Sequence, residues 1–278
     1  MSFYRINLFL LIVLFSANAA AEGYVVGIGA EGDSADGRAV TAFGDFGIGE
    51  KTWLSATASS AKTDGIIRNN ETLYTDVALD HWFKPFGVRL GASYWGNSDI
   101  LDSRDLRSSM YVRGNSGSIS LEYEKRDFKF RLQSDALRGR TAKFSADGWG
   151  LRARVALGDR LNFTFGGMAY DYSRNLRLQP DIDALAYLSR SRLSMINSLI
   201  DHRFSGGFEF NFGLRSVDVT ASNWQLAVDG SAVDSYSAGF LTPVSDRIDM
   251  EMRIAFDDSE LFGRTTAVSV RFYYFGGS

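Results

Sequence analysis

The chain has 278 residues, a formal net charge of −3 and no cysteine. The slightly acidic balance offers no basic patch and excludes nucleic acid as a partner. Disulfide bonds cannot stabilise the fold. With 28 glycines, 3 prolines and 14% aromatic residues, the composition is typical of many strands joined by tight turns.

The first predicted element is a secretory signal peptide at residues 1–21. Arg5 supplies the positive charge before a short apolar run at residues 8–15, and small residues follow where cleavage is expected. A transmembrane helix needs about 20 apolar residues, and Asn18 interrupts this run too early. We therefore expect residues 22–278 to form one exported domain.

Apolar and polar residues alternate with a period of two through most of the exported domain. Near the C-terminus, Met252 and Ile254 alternate with Glu251 and Arg253. The alternating runs have about 9–11 residues, the length with which a tilted strand crosses a bilayer, whereas strands of soluble sheets usually have about 5–6. Aromatic residues gather near the ends of these runs, as in the interfacial girdles of membrane barrels. The pattern therefore favours a transmembrane barrel over a soluble β-sandwich.

The connections between the predicted strands alternate between short and long. The short ones, which we interpret as periplasmic turns, are 49–51, 84–85, 125–127, 158–160, 205–207 and 243–247. The longer ones, which we interpret as outer loops, are 32–37, 61–71, 97–117, 137–146, 173–194, 216–231 and 258–264. This division predicts about 14 strands. Residues 106–113 also fit a strand, which we interpret as part of a hairpin within the third outer loop. Barrels of 12 or 16 strands therefore remain alternatives.

The signal peptide, the alternating connections and the aromatic final strand 267–275 together resemble porin-like outer-membrane β-barrel proteins. The resemblance is architectural and covers essentially the whole exported domain. It implies an all-β, transmembrane, antiparallel up-and-down barrel in the outer membrane of a Gram-negative bacterium. It also implies contacts with outer-membrane lipid and lipopolysaccharide, and recognition of strand 267–275 by the barrel-assembly machinery. In such proteins the last residue is usually the recognised aromatic, whereas here Phe275 is followed by Gly276, Gly277 and Ser278.

The polar faces of the strands carry charges of both signs, which predicts a hydrated lumen. The predicted pore-lining residues are Arg89, Glu122, Glu124, Lys129, Arg131, Arg152, Arg154, Arg215, Asp249, Glu251, Arg253 and Arg271. About 14 strands enclose a space too wide for side chains alone to fill. The leading hypothesis is therefore a channel for small polar solutes. The alternative is a non-conducting barrel that acts in binding, adhesion or envelope assembly through its outer loops. Residues 182–188 have helical spacing and either plug the mouth or stay in a solvated loop.

Two histidines, each preceded by an aspartate, are the candidates for acid–base or metal chemistry. They occur in Asp80-His81 and Asp201-His202, each just before a predicted periplasmic turn. Adjacent residues of a strand point to opposite faces, so the members of a pair cannot share a site. We interpret the histidines as rim residues and predict no catalytic residue, cofactor or metal. An outer-membrane hydrolase ranks third. Its catalytic groups would be expected near the outer leaflet or the loops, and neither histidine is predicted to lie there.

Overall fold

The computed structural model describes residues 23–64, 69–97, 101–131, 141–176, 199–260 and 263–277. The described residues form fourteen strands. Their bounds are β1 Tyr24–Asp33, β2 Arg38–Gly47, β3 Thr52–Asp64, β4 Asn69–Phe83, β5 Phe86–Gly96, β6 Leu101–Gly114, β7 Gly117–Arg131, β8 Thr141–Ala156, β9 Leu161–Tyr172, β10 Ile200–Phe212, β11 Arg215–Leu226, β12 Ala232–Ser245, β13 Ile248–Ser259 and β14 Gly263–Gly276.

The strands form one closed barrel in which every strand pairs with its neighbours in the chain and β14 returns to β1. The closing pair is antiparallel, from Tyr24 opposite Gly276 to Asp33 opposite Ala267. Closure leaves no strand edge unpaired, so backbone hydrogen bonds take the stabilising place that disulfides have in other exported proteins. The predicted antiparallel barrel of about 14 strands is confirmed.

The two ends of the barrel differ in their connections. The end that carries Tyr24 and Gly276 has connections of two to four residues, and we call it the turn end. The opposite end, the loop end, carries the two longest connections, 132–140 and 173–199. The predicted turns 49–51, 84–85, 158–160 and 243–247 all fall at or beside connections of the turn end.

Two predicted turns and two predicted loops are wrong. Residues 125–127 lie inside β7 and residues 205–207 inside β10, whereas 97–117 contains β6 and 216–231 contains β11. The predicted number of strands is correct because these errors cancel. The prediction divided β7 and β10 into two strands each, and it missed β6 and β11. The physical reason is that the lumen accepts charged residues and glycines inside a continuous strand, and such stretches look like turns when taken alone.

The outer face of the barrel is a belt of exposed hydrophobic side chains. Leu90 is 56% exposed, Met110 65% and Trp149 59%. Their neighbours in register share this face, as with Leu79 opposite Leu90. An apolar surface of this extent is not stable in water and requires lipid around it. No helix among the described residues has the length and hydropathy to cross a bilayer.

Candidate pore lining

Residues opposite each other in neighbouring strands share a face, and the faces alternate along each strand. The exposed hydrophobic belt marks the outer face. The register then assigns each remaining residue of the described strands to the outer or the inner face. Most of the predicted pore-lining residues lie on the inner face. They are Arg89, Glu122, Glu124, Arg152, Arg154, Asp249, Glu251, Arg253 and Arg271.

Lys129 and Arg131 lie on the outer face, contrary to the prediction. Because β7 continues through residues 125–127, Phe128 keeps the inward direction of Glu124 and pairs with inward Ser103. Lys129 is therefore exposed, and Arg131 forms an ion pair of 2.7 Å with Asp102 at the loop end. The wrongly placed turn inverted the faces of the residues that follow it.

Arg215 also lies on the outer face. It pairs with Phe212, whose ring belongs to the exposed belt. The two-residue turn formed by Gly213 and Leu214 begins a new strand in the opposite direction, so alternation cannot be counted across it. Arg215 is thus a residue of the turn end rather than of the lumen.

Several inward charges were missed by the sequence reasoning. They are Asp105 and Arg107 in β6, Arg126 in β7, Arg203 in β10 and Asp218 in β11. Most of them lie in stretches that were interpreted as loops or turns. The signal that finds them is the alternation itself, continued through charged residues instead of stopped at them.

The middle of the lumen holds a network of buried charges on β4 to β9. Arg126 lies 3.4 Å from Asp105, and both side chains are 5% exposed. The Arg126 guanidinium also stands 4.8 Å from the centroid of the Phe128 ring. Tyr170 donates a hydrogen bond of 2.5 Å to Glu124 in the same region. The contacts of Asp105 and Tyr170 join β7 to β6 and to β9 through the interior of the barrel.

A second network lies nearer the turn end, on β11 to β14. Arg253 donates two hydrogen bonds to Asp218, at 2.7 and 2.8 Å, and lies 3.0 Å from Glu251. Tyr273 donates a hydrogen bond to Glu251. A bidentate arginine–carboxylate pair fixes both side chains more strongly than a single contact. The network therefore holds this sector of the lumen in one arrangement.

Inward glycines allow many of these contacts to span two strand spacings, about 9.6 Å. Asp218 and Arg253, for example, flank Gly239, and a Cβ atom there would lie 2.3 Å from the Asp218 Oδ1 atom. Without a side chain at the middle strand, the outer two strands can touch. The contacts of this kind are Asp218–Arg253 over Gly239, Asp76–Arg107 over Gly91, Asp80–Tyr111 over Gly87, Glu124–Tyr170 over Gly148 and Phe43–Tyr273 over Gly27.

The described residues enclose several cavities inside the barrel, of which three border charged residues. One of about 500 Å³ lies near the turn end beside Glu209, Asp218 and Arg253. One of about 440 Å³ lies beside the buried charge network, and one of about 280 Å³ reaches the wall between β8 and β11. A barrel of 14 strands has a radius of roughly 14 Å from axis to Cα atoms, so the side chains fill only part of the interior.

At the loop end, an aromatic cluster fills one side of the lumen. Phe128 and Phe144 stack with ring centroids 4.9 Å apart, and Trp95 and Phe130 are almost fully buried beside them. The sequence pattern predicted that Phe128 and Phe130 face lipid, and the register of β7 shows that this is wrong. Residues of the connections complete the cluster, namely Leu176, Leu199, Ala227 and Val228. The predicted plug at 182–188 lies outside the described residues.

The two histidines lie at opposite ends of the barrel. His81 is on the outer face near the turn end, as predicted, and its Nδ1 atom is 2.8 Å from the Thr52 hydroxyl. His202 was predicted beside a periplasmic turn, but it lies at the loop end, because residues 205–207 continue β10. Its Nδ1 atom is 3.0 Å from Asp201, so the expectation that the two members of a pair point apart is wrong here, because the register of β10 shifts between Ile200 and His202. Among the described residues, no hydroxyl nucleophile is hydrogen-bonded to His202, and no group of three acidic or histidine side chains could hold a metal.

No protein-family model and no curated protein matches the chain. The structure is similar to the CymD monoaromatic hydrocarbon channel, with 11% sequence identity, a TM-score of 0.57, and coverage of 96% of this chain and 92% of that one. It is also similar to CdiB from Acinetobacter baumannii, with 8% identity and a TM-score of 0.51, and it covers 91% of this chain but only 60% of CdiB. A KdgM porin in complex with disordered oligogalacturonate has 10% identity and a TM-score of 0.48, and covers 90% of this chain and 98% of that one. The first two likenesses confirm, at the level of the fold, the resemblance to bacterial outer-membrane β-barrels.

Proposed function

We propose that this protein is a channel that lets small hydrophilic solutes cross the bacterial outer membrane. The observation that carries the proposal is a closed barrel with a lipid-compatible outer face and an inner face whose charges border cavities of about 500 and 440 Å³. Buried charges are stable only where partners or water surround them, so the cavities are hydrated. Both termini of the barrel then lie in the periplasm, and residues 1–21 act as the signal peptide for export.

The proposed lining consists of the inward charges of both networks together with two further inward ion pairs. Arg154 lies 3.0 Å from Glu209, and Arg152 lies 3.2 Å from Glu122 while its side chain stays 61% exposed. Arginines that are ion-paired but solvent-exposed can contact passing solutes, since the ion pairs do not fill the width of the lumen. The proposal includes no covalent chemistry and no cofactor.

The first test is conductance of the refolded protein in a planar lipid bilayer. We expect persistent ohmic steps whose size grows with salt concentration. The absence of steps at a protein dose that inserts correctly folded barrels would contradict the channel. That result would favour the second candidate function, a non-conducting barrel that acts through its loops. The observation that favours this second function is the aromatic cluster, which fills one side of the lumen at the loop end.

A second prediction concerns ion selectivity. Changing Arg152→Ala together with Arg154→Ala leaves the carboxylates of Glu122 and Glu209 without their guanidinium partners. The reversal potential in a salt gradient should then shift toward cation selectivity. The matched control is Lys129→Ala with Arg131→Ala, which removes the same charge from the outer face and should leave the potential unchanged. Equal shifts in both double variants would mean that Arg152 and Arg154 do not line the path.

The proposal extends to the envelope partners of the barrel. On the outer face near the loop end, Lys129 stands directly opposite Lys143, and Lys125 lies four residues before Lys129. Like charges opposite each other destabilise a sheet unless an anion neutralises them. The phosphate groups of lipopolysaccharide would supply that anion in the outer leaflet. Strand 267–275, which alternates lipid-facing Val270, Phe272 and Tyr274 with inward residues, is the proposed element for the barrel-assembly machinery.

A further inference from the structure

Arg203 is a half-buried arginine of the lumen that has no ion pair with an acidic residue in the part of the chain that the structure describes. It lies on the inner face of β10, opposite Met168 of β9 and Trp224 of β11. Among the described residues, its one hydrogen-bond contact is with the Met168 Sδ atom, 3.9 Å from Nη2. No carboxylate oxygen of the described residues lies within 4.0 Å of it, whereas Arg126 and Arg152 are both paired.

The cavity of about 280 Å³ beside Arg203 is rich in hydrogen-bond donors. Ser205 and Ser222, which face each other across β10 and β11, line it together with Trp224. The indole N–H group of Trp224 is buried and has no acceptor among the described residues. The cavity has one lining carboxylate, Glu122.

Glu122 is paired with Arg152 at 3.2 Å and forms no ion pair with Arg203. In the hydrated lumen the half-buried guanidinium contacts water, whereas the buried Trp224 indole N–H has no acceptor among the described residues and gains free energy when one arrives. A guanidinium matches the two oxygens of a carboxylate with a pair of parallel hydrogen bonds. Arg152 also lines the cavity, and the remaining lining residues are apolar and include Met168 and Ile200.

We propose that Arg203, Ser205, Ser222 and Trp224 form a binding site for a small carboxylate anion with a short hydrocarbon body. The carboxylate pairs with Arg203 and accepts hydrogen bonds from the neighbouring donors, while the hydrocarbon packs against Met168. The volume lies just below the roughly 300–1,000 Å³ of common small-molecule pockets, which suits a molecule of this size. The assignment of this anion as a transported solute rests on the proposed channel function, whereas its binding does not.

The test is calorimetric titration of the refolded full-length barrel in detergent with sodium butyrate and with butyramide, its uncharged isostere. We expect saturable binding of butyrate and at least about tenfold weaker binding of butyramide. Arg203→Gln should weaken butyrate binding at least about tenfold, which corresponds to about 1.4 kcal/mol. The control Arg264→Gln removes an arginine that is 87% exposed on the outer face and should leave the affinity unchanged.

Two further variants keep the test decisive if Arg203→Gln does not fold. Arg203→Lys retains the charge but loses the planar donor pair, so its affinity should fall between those of the original chain and Arg203→Gln. Trp224→Phe removes the indole N–H and keeps an aromatic ring, so binding should weaken several-fold. Butyrate affinity that is unchanged in the folded variants, or equal affinity for butyramide, would overturn the site.

Bilayer recordings separate this site from the channel function. Butyrate should lower the single-channel current in potassium chloride in a concentration-dependent way, and the Arg203 variants should resist this block. Butyrate binding without any conductance would overturn the channel and leave the site. Conductance without butyrate binding would overturn the site and leave the channel.

Discussion

Replacing Arg126 by alanine should destabilise the barrel by about 3–5 kcal/mol. Arg126 is the buried cation between Asp105 and the region of Glu124, and its side chain is 5% exposed. Removing it leaves buried carboxylates without compensation, which costs more than the loss of the ion pair itself. It also removes the cation–π contact with Phe128. The measurement is the free energy of unfolding in urea after refolding in detergent.

The control for this prediction is Arg264→Ala. Arg264 lies 3.1 Å from Asp258, but the two side chains are 87% and 56% exposed. Exposed pairs contribute at most about 1 kcal/mol, so this variant should unfold at nearly the urea concentration of the original chain. If both variants lose the same small amount, water reaches the Arg126 network and the description of it as buried is wrong.

Gly148→Ala should destabilise the barrel by about 1–3 kcal/mol, the usual cost of overpacking. A Cβ atom at Gly148 would lie 2.6 Å from the Tyr170 ring, which crosses over β8 to donate its hydrogen bond to Glu124. Tyr170 is itself only 8% exposed, so the ring has little room to move. The added methyl group therefore has to separate Tyr170 from Glu124. Urea unfolding measures the cost.

Gly206→Ala is the matched control, because the nearest heavy atom to its added Cβ would be the Thr164 carbonyl oxygen at 3.9 Å. Alanine in a strand has a lower conformational entropy cost than glycine, by about 0.5–1 kcal/mol. We therefore expect Gly206→Ala to be neutral or slightly stabilising. Equal losses in the two variants would show that glycine acts through the backbone here and not by making room for side chains from neighbouring strands.

The aromatic cluster and the charge networks together restrict where solute can pass. Phe128, Phe144 and Trp95 occupy the lumen at the loop end on the β5 to β8 side. The cavity of about 500 Å³ lies on the opposite side, on β9 to β14. The open path proposed for solutes is therefore off-centre.

Much of the fold follows from local pattern. Alternation such as Met252, Arg253 and Ile254 predicted two-faced strands, and the absence of cysteine required another source of stability, which barrel closure supplies. The positions of Arg152, Arg154, Glu251 and Arg253 on the inner face followed from the same alternation, because the strands that carry them were bounded correctly. The errors began where charged residues or glycines inside a strand were interpreted as turns.

The sequence by itself determined the barrel class, the hydrophobic belt and most of the inward charges, because a period of two is a property of each strand alone. Only the tertiary structure decided that Phe128 faces inward, that Arg126 meets Asp105 and that Arg203 has no acidic partner among the residues that the structure describes. These facts depend on register and on contacts across two strand spacings, which glycines such as Gly148 permit. Such contacts join residues far apart in the chain, and local pattern carries no information about them.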